Sequence, residues 1–299
     1  MTNLVTLTRV RMQLALRNKM FFFFSVVMPL GFFFLYSGVF ARGIPEAVKY
    51  FLGPVLALTV MGSFWGLSAT LVMYREQGIL RRFHVAPVSA SDMLASSILA
   101  NFALTLPTVL LELALARVVF HVRDFGNVLA LFLFIGAGTV AFGSLGLVVA
   151  SITNTMQETQ VLNQILWLPL IFLSGATFPF EYLPQVVKKI ALFLPATYLV
   201  TGLQQSIVFS KSISQLLIYI LSLAFWTVLS FFVASQLFRW EPEVKIPRNA
   251  KIWAAATVIP FVILGTWEQS NGKILSQAHA AYQELTQPRN TGPSESPKN

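Results

Sequence analysis

Residues 128–150 read VLALFLFIGAGTVAFGSLGLVVA, 23 residues without a single charged side chain. At 1.5 Å per residue this run makes a helix about 34 Å long, enough to cross a hydrocarbon core about 30 Å thick. Five more segments of similar character lie on either side: Met20–Ala41, Tyr50–Tyr74, Met93–Phe120, Val161–Phe178 and Ile213–Phe238. A seventh, Ile252–Trp267, is shorter, contains Pro260 and is bracketed by Trp253 and Trp267. It either spans thinly or lies re-entrant.

Composition agrees with this pattern. Of 299 residues, 56% are hydrophobic and only 11% charged, with a mean hydropathy of +0.69. A soluble domain would carry about a quarter charged residues. The expected fold is therefore all-α and polytopic, with six transmembrane helices and a possible seventh. The formal charge of +9 sits singly or in pairs at span ends, which speaks against a nucleic-acid surface. With the N-terminus inside, eleven basic residues fall on the inner side and seven on the outer loops of the first six spans, so the N-terminus is expected to be cytoplasmic. Residues 2–19 carry Leu4, Leu7, Val10 and Leu14 on one side, opposite Arg9 and Arg17, and read as an interfacial helix meeting anionic lipid. The run after them is too long for a signal core and lacks a small-residue cleavage site.

Chemistry of the enzymatic kind is absent from the sequence. There are no cysteines, and His84, His121 and His279 have no ligand spacing. Paired carboxylates and a nucleophile elbow are also missing. No Gly-x-x-x-x-Gly-Lys-Ser/Thr run occurs, and Gly272-Lys273 is followed by Ile274. This chain is expected to bind no cofactor or metal of its own.

Between the second and third spans lies Tyr74-Arg75-Glu76-Gln77-Gly78-Ile79-Leu80-Arg81-Arg82-Phe83-His84-Val85-Ala86-Pro87. Ile79, Leu80 and Phe83 share a helical face, Pro87 stops the helix, and Ser89 to Asp92 form a capping box for the next span. The plain reading is a positive-inside loop. The functional one is a stiff helix lying along the membrane and offered to a cytoplasmic partner.

This stretch resembles the coupling-helix signature of ABC-2-type transporter permeases: an acidic residue (Glu76), Gly78, Leu80 with Arg81 and Arg82, then Pro87. A second likeness follows the fifth span, where Phe178-Pro179, Leu183-Pro184 and Leu194-Pro195-Ala196-Thr197-Tyr198 resemble the family's extracellular segment. Here Leu194 stands where the family usually has Asn, Ala196 where it has Leu, and Gln204 or Gln205 where an Arg is common. The resemblance implies a permease domain over residues 1–240 and an added C-terminal extension over 241–299. It also implies an ATP-driven exporter of hydrophobic or amphipathic cargo in a bacterial inner membrane. Separate cytoplasmic ATPase subunits would hold ATP and Mg, and a second permease copy or paralogue would complete the transporter. Glu76, Gly78, Leu80, Arg81, Arg82, Phe83 and Pro87 would contact the ATPase.

Residues 174–210 are long for a connection yet apolar, with breaks at Gly175, Pro179, Pro184 and Pro195, which favours a re-entrant pair ending near Tyr198 as an outer gate. Asn163 and Gln164 either face the pathway or join helices. Glu112 is expected to snorkel to the outer headgroups, with a pathway role as the alternative. Gly62-x-x-x-Gly66 and the glycines at 136, 138, 143 and 146 read as packing surfaces. Residues 290–299 are expected to be disordered. Two other function classes remain: an ATP-independent secondary transporter, for which Glu112 is the available acid, and a membrane scaffold.

Overall fold

The structure is a computed structural model describing residues 5–6, 8–10, 12–13, 26–84, 89–241 and 249–286, with the side chains of 82–84, 181, 251 and 284–286 outside it. Among the described residues there are helices and turns but no strand. In a hydrocarbon solvent the backbone must satisfy its own polar groups, and the helix does so within one segment.

Helix α1 (Met28–Phe34) winds on into a π-type stretch, Leu35–Phe40. Two nearly continuous helices follow, α2 (Pro45–Met61) and α3 (Ser63–Glu76), joined at Gly62. After the short α4 (Ile79–His84) come α5 (Ala90–Val118), α6 (Val128–Ile152) and α7 (Met156–Leu173). The chain then turns through α8 (Gln185–Ala191) and α9 (Pro195–Ile207), crosses as α10 (Ile213–Leu237), and ends in α11 (Ala250–Ala256), α12 (Ile259–Asn271) and α13 (Lys273–Thr286). Among the described residues, five helical stretches are long and apolar enough to cross a membrane (45–76, 90–118, 128–152, 213–237 and 252–271), and the bent pair α8–α9 makes a sixth if it is one span. The expected first and fifth segments are not in this set: 28–40 is shorter, with residues 20–25 outside the described ones, and the polar first turn of α7 lowers its hydropathy. The chain is a multi-pass membrane protein.

Several ends have local causes. Ser89 and Asp92 exchange hydrogen bonds as the expected capping box of α5, and Asn127 caps α6 by accepting from Ala130 N. Thr155 accepts from Glu158 N and starts α7 five residues before the expected Val161. Composition alone placed the fifth segment too late. The polar first turn of α7, with Gln157, Glu158 and Gln160, belongs to the helix because capping, not hydropathy, sets its start. Pro107 and Pro169 lie inside α5 and α7, and Pro29 falls in the first turn of α1. The seventh segment is longer than expected, because 252–271 continues past a turn at Thr257–Val258.

Helix α6 forms the centre, packed by α3, α10, α5, α2 and α9. Its glycines explain how closely. A Cβ at Gly138 would stand 2.7 Å from Leu199, at Gly143 2.8 Å from Leu67, and at Gly146 2.4 Å from the carbonyl oxygen of Phe64. Gly136 has open space beyond an ordinary 3.8 Å contact with Phe102. At Gly62 an added Cβ would first meet carbonyls of its own helix, so the Gly62-x-x-x-Gly66 pair does not make a helix–helix contact through Gly62. The α3 partner of α6 is the bare backbone at Phe64.

Among the described residues a small apolar cluster joins Phe180, Ala191 and Ala278, and two large ones fill the interior. One holds Phe33, Phe64, Phe134, Phe142, Tyr198 and Trp226. The other lies toward the Arg75 end and holds Leu71, Leu80, Met93, Leu147, Val233 and Leu237. Outward-facing residues include Leu129, Leu221, Phe225, Val228, Ile252 and Ile263, all more than half exposed. Scattered over so many helices, such a surface fits lipid as its solvent.

The C-terminal extension returns to the core. Helix α13 was expected to be part of a polar tail, but Ile274, Ala278 and Ala281 are buried against α9, the turn at Phe180–Tyr182 and α2. Gly272 takes a left-handed conformation (φ 64°) that lets the chain reverse. Gln205 Nε2 donates to the Gln277 carbonyl at 3.1 Å, and Tyr219 Oη donates to Gln277 Oε1 at 2.9 Å. Tyr182 and Tyr282 meet edge to face with their hydroxyls 3.0 Å apart. Residues 273–286 therefore strap α9 from the end opposite α4. Removing residues 273–299 is expected to open Gln205, now 1% exposed, to a membrane-impermeant maleimide when it is replaced by cysteine. The full-length cysteine variant should stay unlabelled.

Candidate coupling site

At one end of the bundle α3 turns into α4. Gly78 makes the corner with φ 68°, a conformation that costs other residues roughly 1 kcal/mol or more. Beyond it Leu80 is fully buried in the second apolar cluster, so α4 is seated on the bundle. Arg81 points outward, 65% exposed, and lies 3.4 Å from Glu241. The side chains of Arg82 and Phe83, and all of Pro87, lie outside the described residues.

The Glu76 side chain is exposed at the end of α3. Its carboxylate accepts from the backbone N–H of Met156 at 2.8 Å. It caps the N-terminus of α7, where four amides lack helical partners and the helix dipole favours an anion.

Arg75, only 1% exposed, donates to Ala150 O at 2.9 Å and to Thr153 O at 2.6 Å. Arg239, at the end of α10, donates to Thr153 O at 2.7 Å, Ser151 O at 3.4 Å and Asn154 Oδ1 at 3.0 Å. Both guanidinium groups cover the carbonyl end of α6. Burial pushes the Arg239 guanidinium below its usual value, with Glu158 acting in the opposite sense. The sequence offered these two arginines only as inner-side positive charge, and nothing local marked them as partners of α6.

At the other end, α8 and α9 meet at 93°. Pro184 precedes α8 and Pro195 opens α9. Thr197 Oγ1 donates to Ala191 O at 2.6 Å, and Tyr198 Oη donates to Leu192 O at 2.9 Å, so α9 side chains satisfy the carbonyls freed by the bend. Pro179 precedes the short turn Phe180–Tyr182, and Tyr36 Oη donates to Thr177 O at 3.0 Å. Lys49 and Asp124 pair at 2.8 Å on this same end. That contact, with the Gly126 N–H, holds the Asp124 carboxyl below its ordinary value.

The mid-membrane candidates separate. Asn163 is buried and donates to Ser68 Oγ at 2.7 Å, tying α7 to α3. Gln164 is exposed on the outer face of α7. Glu112 does not snorkel. It is fully buried, and Thr59 Oγ1 donates to its Oε1 at 2.7 Å. Helix α5 rotates it toward α2 rather than toward Arg117 and the headgroups. Its Oε2 has no partner among the described residues.

This pair makes a double-mutant cycle. Thr59→Val is expected to cost about 1–3 kcal/mol, because it leaves a buried carboxyl without its donor. Adding Glu112→Leu should recover most of that, since a well-packed apolar pair can replace a buried polar one. Unfolding midpoints of the purified variants in one detergent check both steps.

A short helix seated by an apolar anchor, on the rim of a helical bundle whose other end carries a bent pair, is the geometry on which comparison with known proteins bears. The family model described as ABC-2 type transporter matches residues 2–208. The chain belongs to that family. A probable multidrug ABC transporter permease of Escherichia coli, YbhS, is 25% identical over 164 residues, covering 54% of this chain and 44% of the relative. The putative transport permease YvfS of Bacillus subtilis is 22% identical over 204 residues, covering 64% of this chain and 80% of the relative. The linearmycin resistance permease protein LnrN of Bacillus subtilis is 22% identical over 160 residues, covering 54% and 41%. The match thus spans less than half the length of the Escherichia coli and linearmycin relatives. In these stretches the chain is similar to proteins named as transport permeases, and helices α10 to α13 lie beyond the residues that the family model matches.

Proposed function

We propose that this permease is the membrane-spanning half of an ATP-driven exporter, moved by separate ATPase subunits that dock on α4. The observation carrying this reading is the seat of α4: Leu80 fixed inside, Arg81 outside, and the whole helix at one end of the bundle. A helix seated by Leu80, with Arg81 65% exposed on its outer side, suits a partner that pushes. ATP and Mg would reside on that partner, since the sequence lacks a P-loop. Arg81, Arg82 and Phe83 make the contact in this account, with Phe83 as the apolar anchor and the arginines as rim charges. Glu76 and Gly78 shape the corner, and Pro87 limits the helix. The α4 end faces the cytoplasm of a bacterial inner membrane, with the N-terminus on the same side.

A second permease copy or paralogue would cover the outer face of α7. That face carries Gln160 and Gln164 among Val161, Ile165, Leu168 and Phe172, all exposed. Glutamines at membrane depth suit a protein seam or a wet pathway better than acyl chains. Cargo passing along that seam would be hydrophobic or amphipathic, in keeping with the multidrug and linearmycin-resistance names of two relatives. It would leave beneath the bend formed by Pro179, Pro184, Pro195 and Tyr198.

Affinity purification of the tagged chain from its native membrane, in mild detergent, tests the partner. An ABC ATPase is expected to co-purify and to hydrolyse ATP. Isolation of the permease with no ATPase, from membranes in which it transports, would remove the reading.

A further inference from the structure

Resting on that reading, we propose that Arg75 and Arg239 are positioning residues for coupling. Together they tie the Thr153–Thr155 turn to the root of α4 and the end of α10. A push on α4 then turns α6, α7 and α10 as one body.

The bonds converge on a single short turn. Arg75 leaves α3 three residues before Gly78 and reaches Ala150 O and Thr153 O. Arg239 reaches the same Thr153 O from α10, together with Ser151 O and Asn154 Oδ1. Glu76 adds the Met156 amide on the far side of the turn, and the Thr153 hydroxyl in the turn lies 2.8 Å from that of Thr159 in α7. Four helices therefore end on one hydrogen-bonded knot at the α4 end.

Stability alone does not account for the choice of residue. The last carbonyls of an ordinary helix are met by water, by a glycine cap or by a basic side chain of the helix's own last turn. Here two guanidinium groups, 1% and 4% exposed, replace water at that place. Like charges held this close repel, which is tolerated because each fork is spent on several acceptors aligned with the α6 dipole. A planar fork has a fixed direction, so it transmits rotation as well as distance. A lysine ammonium, a point charge on a flexible stem, would not.

The chain has no cysteine, so spin labels can be placed without background. Labels at Gln77→Cys and Gln236→Cys, both exposed positions, report the distance between the α4 root and α10 in lipid nanodiscs. The unaltered knot should give one narrow distribution. Arg75→Gln and Arg239→Gln should each lose that narrow peak, and Arg239→Lys should restore it only in part. Asn154→Ala removes one acceptor at an exposed side chain and serves if the arginine variants do not fold; it should broaden the peak less. Distributions as narrow as the parent's in these variants would overturn the proposal. So would a lowered unfolding midpoint with an unchanged peak, which is what a purely structural role gives.

With the co-purified ATPase trapped by ATP and vanadate, labels at Lys188→Cys and Val118→Cys should shift in the parent. In Arg239→Gln they should stay put, although without vanadate the complex still hydrolyses ATP, and a shift equal to the parent's would contradict the knot. Failure to find any ATPase would instead sink the coupling reading, and the first pair of labels would still decide whether the knot fixes the helices.

Discussion

Replacing Gly146 by valine is expected to destabilise the permease by at least about 3 kcal/mol, at the upper end of overpacking costs. The added Cβ would stand 2.4 Å from the carbonyl oxygen of Phe64 and 3.3 Å from its Cα. Backbone cannot swing aside as a side chain can, so α3 and α6 must part. Because α6 is the central helix, parting it from α3 also loosens the seat of Leu80, which packs in the same cluster as Leu71 and Leu147. Gly136→Ala on the same helix is the matched control. With only Phe102 at 3.8 Å, it should be neutral or stabilising by up to about 1 kcal/mol through helix propensity. Unfolding midpoints in a common detergent check the pair, and equal behaviour of the two variants would contradict the packing described.

The largest functional effect is expected from Leu80→Asp. Leu80 is fully buried, and an unpaired carboxylate at that place costs several kcal/mol unless α4 lifts to hydrate it. The helix should leave its seat while the spans, held elsewhere by the main core, remain. Hydrogen exchange over residues 76–84 should rise sharply, and ATP-driven transport should fall to background. Leu80→Met keeps shape and polarity and should cost less than about 1.5 kcal/mol, with transport retained. Full transport by Leu80→Asp would contradict the role given to the α4 seat.

The spans at 45–76, 90–118, 128–152, 213–237 and 252–271 were legible because hydrocarbon imposes length and composition on any helix that crosses it. Caps were legible where a short side chain and its amide lie three residues apart, as at Ser89 and Asp92. The start of α7 was not, because Thr155 gives it a cap that outweighs the polarity of its first turn. Relations between distant segments were hidden for a different reason. Arg75 and Arg239 look like ordinary inner-side charges until α6 ends between them, and Glu76 looks free until Met156 arrives. Glu112 was misplaced because its sequence neighbour Arg117 suggested headgroups, whereas helix rotation brings it to Thr59. Helix α13 did carry a usable signal: Ile274, Ala278 and Ala281 recur at i, i+4 and i+7, an apolar stripe within a polar tail. For the coupling stretch, motif order and the apolar face with Leu80 were readable from helical spacing, but that Leu80 is buried in the bundle while Arg81 is exposed needed the fold.

The central claim is that α4 is where an ATPase moves this chain. Arg81→Cys, the sole thiol of the protein, can carry a photoactivatable cross-linker in native membranes, with Lys188→Cys on α8 as the distant control. The account predicts an adduct to an ABC ATPase from position 81, and none from 188. An adduct from 188, or transport-competent membranes in which position 81 never reaches an ATPase, would contradict it.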